Sequence, residues 1–138
     1  MERLLYVSKS KIKGVDADAD ISHIVEKAVE WNVDHNLTGA LIFTGTHFAQ
    51  VLEGSQQDID DVMVIIKNDP RHEEVSVINR APITERQFPT WAMAYQGPSQ
   101  FVSRHVTRSL HATSGLDKQR ATDWLVQLAY EFVIFKGP

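Results

Sequence analysis

Apolar residues recur along this chain in two rhythms, and the switches between them mark out its elements. Arg3 to Ser8 alternates, with Leu5 and Val7 on one side and Leu4 and Tyr6 on the other. That predicts a central strand covered on both faces. Lys9 to Asp16, which contains Gly14, reads as a loop. Asp16, Asp18 and Asp20 favour a helix start through the helix dipole. Ile21, Ile24, Val25 and Ala28 follow at the i, i+3, i+4, i+7 spacing of an amphipathic helix that runs to about Trp31–Val33. Leu37 to Thr44 and His47 to Leu52 are expected strands, joined into an antiparallel hairpin by a turn at Thr44-Gly45-Thr46.

Ser55 stands three residues before Asp58, close to capping-box spacing but with Asp for the usual Glu or Gln. Behind it Ile59, Val62, Met63 and Ile66 repeat the helical spacing, and Asp69-Pro70 stops the helix. Val75 to Asn79 alternates as a strand, and Trp91 to Tyr95 forms another after a Pro89 turn. The order β-α-β-β-α-β-β, with both crossover helices on one face, predicts an α+β, ferredoxin-like sandwich with a five-stranded mixed sheet. Gly97-Pro98 closes this body, so residues 1–97 form the expected main domain and 98–138 a helical extension. In the extension, Val102, Val106 and Leu110 mark a short helix. Ala121, Trp124, Leu125, Leu128 and Phe132 mark a longer one capped by Asp117. Neither helix is expected to be stable alone, so both should cover the open face of the sheet.

Composition narrows the function classes. With 138 residues, 43% hydrophobic and 23% charged, the chain has the size and balance of one globular domain with a modest appendage. Its net charge of −4 and lack of a basic stripe argue against nucleic acid as a partner. Lys9, Lys11 and Lys13 read as a solvated loop. The absence of cysteine excludes disulfides, thiolate metal sites and cysteine nucleophiles. The N-terminus turns polar too soon for a signal peptide, and no apolar run reaches membrane-spanning length, so a cytoplasmic protein is expected. His23, His35, His47, His105 and His111 show no metal-ligand spacing, and no phosphate loop, nucleophile elbow or carboxylate pair appears.

The informative polar residues are those that travel with apolar ones. On the third strand Gln50 shares a face with Phe48 and Leu52, opposite His47, Ala49 and Val51. Asn32 falls at the end of the first helix. Either amide alone has an ordinary explanation, a helix cap or an outward-facing side chain. Buried together, they need partners, because an unpaired amide costs roughly 1–3 kcal/mol. A heteroaromatic ring edge with mixed donors and acceptors would supply them, and a Tyr6–Gln50 hydrogen bond across the sheet would satisfy the phenol. Arg71, in Asp69-Pro70-Arg71-His72, either sits solvated at a helix C-terminus or presents its fork to carbonyls of that ring. Trp91 and Met93 share a strand face and either pack the core or close over the ring.

The spacing of these residues resembles the BLUF family, blue-light sensors that use FAD. The matching segments are Leu4-Leu5-Tyr6-Val7-Ser8, Asn32, Leu37-Thr38-Gly39-Ala40-Leu41, Phe48-Ala49-Gln50-Val51-Leu52-Glu53-Gly54, Asp69-x-Arg71-His72 and Phe88-Pro89-Thr90-Trp91-Ala92-Met93. They cover residues 1 to about 97 in the family's order. Trp31 and Ala49 depart from some relatives and are expected to tune the pocket or spectrum.

The resemblance implies FAD, with FMN as the alternative flavin, held between the two helices by Tyr6, Ser8, Ile24, Asn32, Gln50, Arg71 and His72. It implies that Tyr6 gives an electron and then a proton to the photoexcited flavin while Gln50 rotates or tautomerises. The radical pair then recombines to leave a red-shifted state, in which the hydrogen bonds of Gln50 bias the last strand, Trp91 and Met93, for the C-terminal helices to read out. The extension matches no cyclase, phosphodiesterase or DNA-binding module, so a sensor without built-in catalytic output is expected. It would signal to a separate partner protein. The apolar end formed by Trp124, Phe132, Val133, Ile134 and Phe135 either packs on the sheet or serves a homo-oligomer. The rival readings are a small flavin enzyme and a flavin-free ferredoxin-like interaction domain.

Overall fold

The computed structural model describes residues 1–11, 17–97 and 99–135, with the backbone alone for residues 17, 18, 134 and 135. The expectations for Lys13, Gly14, Asp16, Pro98 and the side chains of Asp18, Ile134 and Phe135 lie outside the described residues. Along the chain come β1 (Glu2–Ser10), α1 (Ala17–Asp34), β2 (Thr38–Phe43), β3 (His47–Gly54), α2 (Gln56–Asn68), β4 (His72–Pro82), β5 (Trp91–Gln96), α3 (Gln100–Leu110) and α4 (Gly115–Phe135). The strands form one sheet in the order β4-β1-β3-β2-β5, antiparallel except for the β2–β5 pair. This is the expected ferredoxin-like sheet extended by β5 beyond β2.

Both faces of the central strands are buried, as the alternation in β1 required. Leu4, Tyr6, Phe48 and Leu52 join Ile21 and Ile24 of α1 and Ile59, Val62, Met63 and Ile66 of α2 in one core. Leu5, Val7, Ala49 and Val51 face the other way and pack on Val102 and Val106 of α3 and Leu125, Val126 and Ala129 of α4. The extension therefore covers the face that the first two helices leave open.

Local chemistry sets the helix ends. Ser55 caps α2, its Oγ accepting from the backbone N–H of Asp58 at 3.1 Å and donating to the Asp58 carboxylate at 2.8 Å. At the end of α1, Asn36 adopts left-handed backbone (φ 54°). The N–H of Leu37 then reaches the carbonyl of Asn32 at 2.9 Å, and that of Asn36 reaches Val33 at 3.3 Å, a Schellman cap.

Two details of α4 differ from expectation. Its cap is Ser114, whose Oγ accepts from the N–H of Asp117 at 3.0 Å, so Asp117 lies inside the first turn. The buried stripe is Thr122, Leu125, Val126 and Ala129, rotated from the expected one. Thr122 can sit inside because its hydroxyl donates to the carbonyl of Lys118 at 2.8 Å. Trp124 consequently turns outward and stacks on His105 at 3.6 Å, whereas Phe132 and Val133 pack on the second core.

Gly39 sits where three strands converge. It pairs with Leu52 of β3 and Trp91 of β5, its φ is +148°, and a Cβ there would lie 1.9 Å from the carbonyl oxygen of Val51. Only glycine permits that approach. Gly39→Ala is expected to destabilise the fold by more than about 3 kcal/mol, beyond ordinary overpacking, a change that denaturant unfolding would read.

Candidate functional site

The cross-strand register does most of the construction. Tyr6 of β1 lies directly opposite Gln50 of β3, and both point toward the α1/α2 layer. The Gln50 Nε2 donates to the Tyr6 hydroxyl at 2.6 Å. The other end of the amide is also engaged, for Oε1 accepts from the indole Nε1 of Trp91 at 2.8 Å. One strand, β2, separates β3 from β5, and the long indole spans that gap. Gln50 is only 6% exposed, so this Tyr6–Gln50–Trp91 chain lies within the protein.

Above the chain lies a cavity of about 470 Å³ between α1 and α2. Its floor includes Tyr6, Leu41, Gln50 and Trp91. Ile24 and Ala28 form one wall, and Val62, Ile65 and Ile66 the other. Asn32 and Trp31 line it from the end of α1, and His23, Asp69, Arg71 and His72 also border it.

The ionisable groups are tuned by burial and by one another. Burial pushes the Tyr6 phenol far above its ordinary range, outweighing the hydrogen bond from Gln50, and the charge of Asp69 adds to the rise. Tyr6 is therefore a neutral phenol. His72 is pushed down by burial, which prevails over the opposing pull of Asp69. Its Nδ1 lies 2.9 Å from the Ser8 hydroxyl, which holds the ring in place. Burial acts to raise Asp69, but hydrogen bonds from Arg71 prevail and hold its carboxyl below the usual range.

The expected site residues separate into two groups. Tyr6, Ile24, Asn32, Gln50, Arg71, His72 and Trp91 converge on the cavity. Arg71, however, folds its guanidinium onto Asp69, with Nε and Nη2 donating at 3.0 and 2.8 Å, and a third nitrogen reaches His23 at 3.0 Å. Ser8 and Met93 are not among the lining residues. Ser8 lies behind His72, and Met93 packs against the core on the same side of β5 as Trp91.

Glu53 was not among the expected site residues, yet its exposure is 0%. Its carboxylate accepts from Arg3 at 2.7 and 3.0 Å, from the N–H groups of Gln87 and Phe88 at 2.9 Å each, and from Thr38. It thereby ties down the loop that delivers Trp91. Glu53 shares its strand face with Val51, and a charge on a buried face was the available signal.

The residues suit a heteroaromatic guest. Among the described residues, two buried side-chain atoms have no hydrogen-bond partner, the Trp31 Nε1 and the Asn32 Oδ1, and both residues line this cavity. A flat ring with apolar faces and a polar edge satisfies such a site. Residues 1–94 match the family described as sensors of blue light using FAD.

The chain belongs to the BLUF family.

BLUF proteins sense blue light through a bound flavin. Among curated relatives, the chain is 33% identical over 96 residues to the photoactivated adenylate cyclase subunit alpha of Euglena gracilis, covering 67% of this chain and 9% of that protein. It is 31% identical over 93 residues to the beta subunit of Euglena longa, covering 67% and 11%. The chain thus spans about a tenth of the length of these curated relatives. Among solved structures, the dark state of the BLUF protein BlrB superposes with a TM-score of 0.73 at 27% identity, covering 94% of this chain and 95% of that one. A bacterial light-regulated adenylyl cyclase superposes with a TM-score of 0.62 at 25% identity, covering 99% of this chain but 35% of that one. No helix among the described residues is long and apolar enough to cross a membrane.

Proposed function

We propose that this chain is a blue-light receptor that holds FAD between α1 and α2 and converts light absorption into a change of hydrogen bonding at Gln50. The observation that carries this reading is an amide engaged at both ends, by Tyr6 on one side and Trp91 on the other. Asn32, Ile24, His72 and Arg71 would hold the flavin alongside Tyr6 and Gln50. Bound there, a flavin supplies a blue-absorbing chromophore that accepts one electron when excited.

Tyr6 is the donor. Its hydroxyl keeps its proton in the dark, and it is buried away from competing water. Gln50 is the switch, because a carboxamide exchanges donor and acceptor ends by rotation without any change in charge. Once the electron and proton have returned to Tyr6, the turned-over amide would have its Oε1 accepting from Tyr6 and its NH₂ facing the N–H of Trp91. Two donors then oppose each other, the Trp91 hydrogen bond is lost, and the balance of conformations at β5 shifts.

The extension at 98–138 would read that strand. Ala94 of β5 is buried against the α3/α4 core, and Tyr95 packs on Phe132 of α4 with ring centroids 5.1 Å apart. Trp91 thus sits at one end of a strand whose other end touches the last helix. The output passes to a separate partner protein, and the exposed rings of Phe101 and Trp124 are apolar groups available to that partner or to a second copy.

A visible spectrum of the purified protein tests this reading. A yellow protein with a small red shift under blue light that reverts in the dark is the expected result, and the flavin released on denaturation should be FAD. A colourless protein, or a flavin that bleaches without any red-shifted state, would contradict it.

A further inference from the structure

We propose that Trp31 is a flavin ligand whose indole N–H donates to a carbonyl of the flavin ring, next to the ring N–H that Asn32 accepts. This rests on the reading that the cavity holds a flavin. It assigns a hydrogen-bonding role to a residue that was expected only to tune the pocket.

The unpaired buried atoms form a complementary set. Nε1 of Trp31 can only donate, and Oδ1 of Asn32 can only accept. They belong to consecutive residues in the last turn of α1, and both residues line the same cavity. An orphaned buried polar atom is uncommon. A donor and an acceptor on consecutive residues that line one cavity suit a ligand edge carrying an acceptor near a donor. The imide of the flavin pyrimidine ring, C(=O)–NH–C(=O), is such an edge. Elsewhere in the cavity the Trp91 indole N–H is already used on Gln50 and the Tyr6 hydroxyl by Gln50.

The local structure fixes the backbone of Asn32 and the ring of Trp31 before any ligand arrives. The Schellman cap ties the carbonyl of Asn32 to the N–H of Leu37. His35 stacks on the Trp31 indole with ring centroids 3.8 Å apart and 12° between planes. The Nδ1 of His35 is anchored 2.8 Å from the carbonyl of Trp31, one helical turn back. The indole is thus backed by a ring that is itself fixed, which limits the freedom it would lose on binding.

Adenine also presents an acceptor beside a donor, so the test compares flavins with and without it. Apoprotein of the full chain, as wild type and as Trp31→Phe, is titrated with FMN and with FAD, and the carbonyl stretches of the loaded proteins are recorded by infrared spectroscopy in the dark. Trp31→Phe is expected to weaken both flavins about tenfold, in keeping with one lost hydrogen bond, and to move one flavin carbonyl stretch to higher frequency. In the wild type, the Trp31 indole N–H resonance should move downfield on adding FMN, which gives a reading even if the variant folds poorly.

Unmoved carbonyl bands, with or without an affinity loss, would overturn the proposal and leave Trp31 as a wall. An effect seen with FAD but not FMN would also overturn it, placing the contact on adenine. A wild type that takes up flavin and forms the red-shifted state while failing these tests refutes the ligand role alone; one that takes up none refutes the receptor reading itself.

Discussion

Tyr6→Phe is expected to leave flavin bound and to reduce formation of the red-shifted state by roughly two orders of magnitude or more, the range a positioned proton donor contributes. The substitution removes one oxygen from a fully buried ring and changes little of the cavity wall. It deletes the hydroxyl that accepts from Gln50 at 2.6 Å, and with it the proton that the proposed transfer needs. The amide nitrogen of Gln50 is left without that partner in a buried site, a penalty of about 1–3 kcal/mol that also loosens the dark-state orientation. The variant should therefore be yellow, folded and nearly inert to blue light, as read by its light-minus-dark absorption. A photocycle of wild-type yield would remove Tyr6 from the donor role.

Glu53→Ala is expected to destabilise the protein by about 3–5 kcal/mol, the range for breaking a buried ion pair from one side. The effect should appear as a Tm roughly 10–20 °C lower. The carboxylate is wholly buried and holds Arg3, Thr38 and the N–H groups of Gln87 and Phe88 together. Removing it strands those donors. Glu53→Gln should be milder but still harmful, because one end of the amide would face donors instead of accepting from them. A Tm within a degree or two of wild type for Glu53→Ala would show that the cluster is not a major support of the fold.

What could be read from the chain was whatever depended on alternation and local caps. The pairing of Tyr6 with Gln50 was legible because β1 and β3 each carry large apolar groups at the same parity as the polar one. The sheet and the covering role of the last two helices followed from the same counting. The choice between Trp91 and Met93 was not legible, since both share parity. It depends on β5 pairing parallel to β2, residues far away in sequence, and on the indole being long enough to cross one strand. The pairing of Arg71 with Asp69 was not foreseen, although the carboxylate that engages the guanidinium stands only two residues earlier. Glu53 was obscure because its partners come from residues 3, 38, 87 and 88, which only the folded sheet gathers. The stripe of α4 shifted because Thr122 satisfies its own hydroxyl and so behaves as a core residue.

If Gln50 is the switch, the hydrogen bond from Trp91 to Oε1 exists in the dark and is lost in the lit state. The indole N–H resonance of Trp91, followed by NMR in the dark and under steady blue light, reports that bond directly. The account predicts that this resonance moves upfield on illumination and returns with the same time course as the red-shifted absorbance. Complete formation of the red-shifted state with the Trp91 N–H unmoved would contradict it.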